Sequence, residues 1–245
     1  THNNGGSITA QQALSAKVSS LDNSSGKVLA QNAVTLNGSG DVINSAGQIG
    51  SNGALQITSG NLRNDQQGSI SSSSENVVLN TAQLNNQSGV IAAHGSVTLG
   101  TQALDNSKGV IRADSVNIDT HQQQLTNTSG QVLSLGGATD IHSGALSNHG
   151  GTLQAATSLA IDTHAKGLDN SQSGTLAAQG DLSLTSGDVN NTSGRIQASH
   201  DVGLNVQNLD NSAGQILAQH ALNAAAAQTL TNSGGTVLGN DAVHI

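Results

Sequence analysis

The chain contains no cysteine, proline, phenylalanine, tryptophan, tyrosine or methionine, and only 9% of its 245 residues are charged. Each absence closes off a class of structure or function. Without cysteine there are no disulfides and no thiolate metal sites, although secreted solenoids need neither. Without aromatics, a wide globular core has only Val, Ile, Leu and Ala to fill it, and the ring platforms on which glycans ordinarily stack are missing. Seven basic against fifteen acidic residues leave a net charge of −8 with His neutral. That argues against nucleic acid, an anionic membrane surface or a heparin-like glycan as partner, since all require a basic face. No apolar run approaches the roughly 20 residues that span a bilayer as a helix.

What remains is rich in Gly, Ser, Asn and Gln. Low charge and high polarity of this kind also occur in disordered chains. Here, however, the aliphatic residues recur at fixed positions. The pattern apolar-x-Asn-x-x-Gly-x-aliphatic-x-small starts at Leu21, Val42, Leu62, Leu84, Leu104, Leu125, Leu146, Leu168, Val189, Leu209 and Leu230, at intervals of 20 to 22 residues. A period near 20 held along a whole chain signals a stacked architecture. Small apolar residues suit the narrow core of such a solenoid, which never widens beyond one coil.

Within one coil, Leu104 and Asn106, then Ile111 and Ala113, then Val116 and Ile118 alternate along the chain. Alternation with period two marks a strand with one buried face. The reading is therefore all-β: a right-handed parallel β-helix of about 11–12 coils, each of 20–22 residues and three short strands. Residues 1–245 form a single β-helical segment in this reading. The chain opens and closes inside a coil, as expected of an uncapped fragment of a longer filamentous protein.

The repeated asparagines are Asn23, Asn44, Asn64, Asn86, Asn106, Asn127, Asn148, Asn170, Asn191, Asn211 and Asn232. An amide carries both donors and an acceptor. Stacked at about 4.8 Å, the strand spacing, such side chains can bond to each other as an internal ladder. The glycines that follow, such as Gly47 and Gly109, are expected to take positive φ at the bend. Gly68 and Gly174 stand one residue later than the others and absorb insertions.

Catalytic chemistry finds no support. Asp22, Asp105, Asp169 and Asp210 follow the first-strand leucines, point outward and do not converge. Of nine histidines, His142 and His244 alternate with inward aliphatics and should face solvent. His200 and His220 occupy the same position in adjacent coils, with Asp201 beside the first. Stacked imidazoles roughly 5 Å apart could share an adventitious metal ion; the pair is read instead as exposed turn residues, and no catalytic, cofactor or metal site is assigned.

The unit Leu-Asp-Asn-Ser-x-Gly-x-(Ile/Val)-x-Ala, seen at Leu21–Ala30, Leu104–Ala113 and Leu209–Ala218, resembles the haemagglutinin repeat of filamentous-haemagglutinin-type exoproteins. Members of that family are long adhesins and contact-dependent growth inhibition effector proteins of Gram-negative bacteria, exported by two-partner secretion. The resemblance implies a secreted or cell-surface location and a parent exoprotein of which this chain is a part. It further implies an outer-membrane transporter and a cell-surface receptor as partners. The expected function is a rigid, non-catalytic shaft presenting a distal adhesive, receptor-binding or toxin region. The alternative is a direct adhesion module that binds a receptor or glycan through its polar outer face.

Overall fold

A computed structural model describes residues 1–245. The chain is all-β, with parallel strands stacked as a solenoid of about 11 turns, each of about 21 residues. The second strand of each coil belongs to one continuous parallel sheet of 12 strands, running from Ser7–Ala10 to Thr236–Gly239. Its register places like upon like: Ile49 on Val28, Ile70 on Ile49, Ile111 on Ile91, Val132 on Ile111. The first and third strands form the remaining walls in the same in-register way, with Leu104 paired to Leu84 and Val116 to Val97.

The first strand is the least regular of the three in each coil. In many coils it is only two residues long, as in Leu21–Asp22, Leu125–Thr126 and Leu168–Asp169. In others it is fused to the preceding third strand, giving Leu55–Arg63, Val77–Asn85, Ser96–Asp105, Val202–Asp210 and Ala221–Thr231. Connector length contributes to the difference. Long connectors at 120–124 and 163–167 loop out through the left-handed pairs His121-Gln122 and His164-Ala165. In the last fused strand an extra residue between Ala226 and Thr229 breaks the register opposite Val206 and Asn208.

The core is a narrow column of aliphatic side chains drawn from all three strands of each coil. Val28, Ile49, Ile70, Ile91, Ile111, Val132, Leu153, Leu176, Ile196 and Ile216 are all at most 1% exposed. They meet buried third-strand pairs such as Val97/Leu99 and Leu182/Leu184 and the first-strand leucines, which are buried except for the half-buried Leu230. Burial of each large aliphatic contributes about 1.5–3 kcal/mol. The small residues two positions after the second-strand aliphatic, among them Ala113, Ser134, Ala155 and Ala198, are buried at a corner. Burial falls off in the coils at the two ends of the chain, where Ile8, Val243 and Ile245 are exposed.

Candidate functional site

The most organised polar feature lies inside the rod. Asn106 Nδ2 donates to Asn127 Oδ1 at 2.7 Å, and Asn106 Oδ1 accepts from Asn86 Nδ2 at 2.7 Å. The same Nδ2 also donates to the carbonyls of Gly109 and, one coil on, Gln131. Both amide hydrogens and the side-chain oxygen are thus engaged. Eleven such side-chain rungs, each 2.7–2.8 Å long, follow one another without a gap. The ten asparagines from Asn23 to Asn211 are fully buried, and Asn232, on the last coil, is exposed. A buried amide left unpaired would cost about 1–3 kcal/mol, and stacking at the strand spacing supplies every one of these with its partner.

The ladder contains one member that the repeat pattern misses. Asn3 donates to Asn23 Oδ1 at 2.7 Å and to the Lys27 carbonyl at 2.9 Å. Thr1 stands where the other coils carry Leu or Val, so the apolar-x-Asn search passes over it. The interval from Asn3 to Gly6, equal to that from Asn23 to Gly26, is the signal that would have found it.

The glycines do not take the positive φ expected of them. Gly26, Gly47, Gly89, Gly109, Gly130, Gly194 and Gly214 do not have positive φ. The left-handed residue is the one before each: Ser25, Ala46, Ser88, Lys108, Ser129, Ser193 and Ala213, with φ between 52° and 57°. Glycine follows because a Cβ at Gly109 would run into the Asn86 carbonyl oxygen and come within 2.6 Å of Asn106 Oδ1. The constraint is close approach to the asparagine column, not backbone handedness. Where the turn is one residue longer, two left-handed residues occur in tandem, Gln66-Gln67 before Gly68 and Gln172-Ser173 before Gly174.

A second internal column escaped the sequence reading altogether. Thr101, Thr120, Ser143, Thr163 and Ser186 are buried at the end of the third strand. Their hydroxyls donate to nearby carbonyls: Thr120 Oγ1 to Gln123 O at 2.6 Å, Thr163 Oγ1 to Lys166 O at 2.6 Å, Ser186 Oγ to Lys166 O at 3.0 Å. Thr163 and Ser186 hydroxyls also meet at 2.9 Å. Each lies two residues past an inward aliphatic such as Ile118 or Ile161, so the alternation simply continues with a hydroxyl in place of a methyl.

The outward aspartates brace the turns. Asp105 Oδ1 accepts from the Ser107 amide at 2.9 Å and its hydroxyl at 2.6 Å, and Asp22, Asp169 and Asp210 cap Ser24, Ser171 and Ser212 amides alike. The Ser24 and Ser212 donors hold the Asp22 and Asp210 carboxyls below the usual carboxylate range. Asp65 is the one buried acid, at 6% exposure. Burial raises its pKa, but the Ser45 hydroxyl and the Arg63 guanidinium, 2.8 Å away, together outweigh that and leave it lowered. Ser45 Oγ and Asp65 Oδ1 do not complete a well-aligned bond.

Among the histidines, His142 faces outward and makes an edge contact with His164, ring centres 6.3 Å apart, while His244 is exposed. His200 and His220 are closer, with ring centres 4.3 Å apart. His200 Nδ1 lies 2.5 Å from Asp181 Oδ1, which raises the histidine and lowers the aspartate. One ligating atom from each of His200, Asp201 and His220 falls within 4.8 Å of the others.

A family model described as haemagglutinin repeat matches residues 1–50, 13–75, 51–129 and 113–240, nearly the whole chain. No curated protein and no solved structure matched it.

Proposed function

The chain belongs to the haemagglutinin-repeat family, and from that premise we propose that its role is mechanical, as a rigid, non-catalytic stretch of shaft in a larger exoprotein. Family and fold together support a repeat region of an adhesin-type exoprotein. The observation that carries the shaft reading is the unbroken run of asparagine rungs from Asn3 to Asn232. Bending the rod would have to lengthen rungs on one side. A column of paired amides beside a narrow, continuous aliphatic core resists that distortion all along the axis. The near-constant coil length adds support, because a binding module would carry insertions that build a recognition loop.

The parent protein in this reading is secreted or displayed on the surface of a Gram-negative bacterium. It leaves through an outer-membrane two-partner-secretion transporter and carries its adhesive, receptor-binding or toxin region beyond this segment. The segment itself is one continuous β-helical unit. No helix is long and apolar enough to cross a membrane.

The test is to exchange outward side chains such as Asp140, His142 and Asp188 in the parent exoprotein, and separately to delete whole coils. A shaft keeps its adhesion after the exchanges and loses reach with each coil removed. Loss of adhesion after the exchanges, with the rod intact, would make the segment a direct adhesion module instead.

A further inference from the structure

We propose that His200, His220 and Asp201 form a binding site for one divalent transition-metal ion of the zinc class, clamping two adjacent coils. This inference stands on side-chain geometry and is independent of the shaft reading. Parallel register places Val202 on Leu182 and Leu222 on Val202, so the preceding corner residues stack as well, and the His220 amide donates to the His200 carbonyl at 3.1 Å. The stack brings two imidazoles to 4.3 Å between ring centres.

The surroundings suit a metal. Asp181 bonds His200 Nδ1 at 2.5 Å, which directs that proton to the carboxylate and leaves Nε2 as the donor. A carboxylate bonded to the far nitrogen of a ligating imidazole fixes its tautomer and ring orientation. Asp241 stands 3.9 Å from His220 Nδ1 and is placed to do the same there. Asp201 Oδ1 is held by the Ala221 amide at 2.9 Å, while Oδ2 lies 3.5 Å from His200 Nδ1. Asp201 is therefore oriented by one oxygen, while the other sits on the Nδ1 side of the His200 ring and must turn toward Nε2 to share an ion with it. The carboxylates of Asp181, Asp201 and Asp241 all lie beside these two imidazoles, and a dication would offset their mutual repulsion.

Two nitrogens and one oxygen are a borderline donor set, suited to zinc and its neighbours. Donors on one tetrahedral zinc lie about 3.4 Å apart, given metal–nitrogen bonds of about 2.0–2.1 Å. The present separation, within 4.8 Å, requires side-chain shifts on the order of 1 Å. Both histidine side chains are about half exposed, at 48% and 51%, and are free to make them. Remaining coordination positions would be open to water.

The experiment is calorimetric titration of the 245-residue chain with Zn²⁺ alone at pH 7.5, together with Co²⁺ titration followed by its d–d absorption. One ion per chain is expected, with absorption showing nitrogen ligation. His200→Gln and His220→Gln should each weaken binding at least about tenfold, and Asp181→Asn by about tenfold through loss of the orienting carboxylate. The double variant His142→Gln/His164→Gln should bind as the parent chain does. Unchanged thermal unfolding of the metal-free variants would show that the fold survives. Absence of saturable binding, or affinity that follows His142 and His164 rather than His200 and His220, would overturn the proposal.

Discussion

Asn106 shows how one residue type dominates this chain. Its amide joins two coils and its own turn at once, so Asn106→Leu removes the acceptor of Asn86 and the donor to Asn127 together. With about 1–3 kcal/mol for each orphaned group, destabilisation of about 3 kcal/mol is expected in chemical denaturation. The neighbouring turn separates two explanations of glycine. Ala46 has φ 53°, a conformation costing about 1–2 kcal/mol for a residue with a Cβ. Gly47 abuts the Asn23 carbonyl. Ala46→Gly should therefore be neutral or raise stability by up to about 1 kcal/mol, after the entropic cost of glycine. Gly47→Ala should lower it by about 1–3 kcal/mol through overpacking, so the melting temperature should fall for Gly47→Ala and not for Ala46→Gly. Asp65 supplies a pH signature. Its folded pKa is below the unfolded value, so its contribution is complete above about pH 4 and is lost as pH falls through the folded pKa. Thermal melts between pH 2 and 6 should show Asp65→Asn with a shallower acid loss than the parent chain.

At the scale of the element, the corners differ in how they satisfy buried backbone. The asparagine corner uses side chains that bond to their own kind. The corner after the third strand uses hydroxyls aimed at loop carbonyls, and two of them, Thr163 and Ser186, share the Lys166 carbonyl. Because that acceptor keeps a second donor, Thr163→Val should cost only about 1 kcal/mol, well below the loss expected for Asn106→Leu. A comparison of the two variants in one denaturation series checks that order. The left-handed pairs Gln66-Gln67 and Gln172-Ser173 belong to the same scale. Each takes up one extra residue in the turn, so that the glycine still arrives under the asparagine column and the register of the sheet is kept.

For the whole molecule, stability is a sum over coils and the interfaces between them. Eleven rungs at about 4.8 Å each give a rod on the order of 53 Å between Asn3 and Asn232. Small-angle scattering should return an elongated particle of that length. Removal of residues 104–124, one full period, should shorten it by about 4.8 Å and leave the far-ultraviolet circular dichroism of a β protein. A deletion of half that length should not fold normally, since it would place outward residues in the core file.

Much of this was legible in the sequence because the repeat is translational. When each coil sits on a near copy of itself, periodicity alone says which side chains stack, so the second-strand aliphatics, the small corner residues and Asn23 to Asn232 could be placed without coordinates. The stacking of His200 on His220 was legible on the same ground. Tertiary structure decided what depends on distances within the turn: that glycine answers a steric contact with Asn86 or Asn23, while Lys108 or Ala46 carries the positive φ. It decided that Asn3 joins the ladder despite lacking its apolar companion, because the amide needs only a neighbour at the right height. It decided, too, that Asp181 reaches across to His200, which no repeat unit announces. Register repeats along a chain; the direction of an individual side chain is settled only by what it meets.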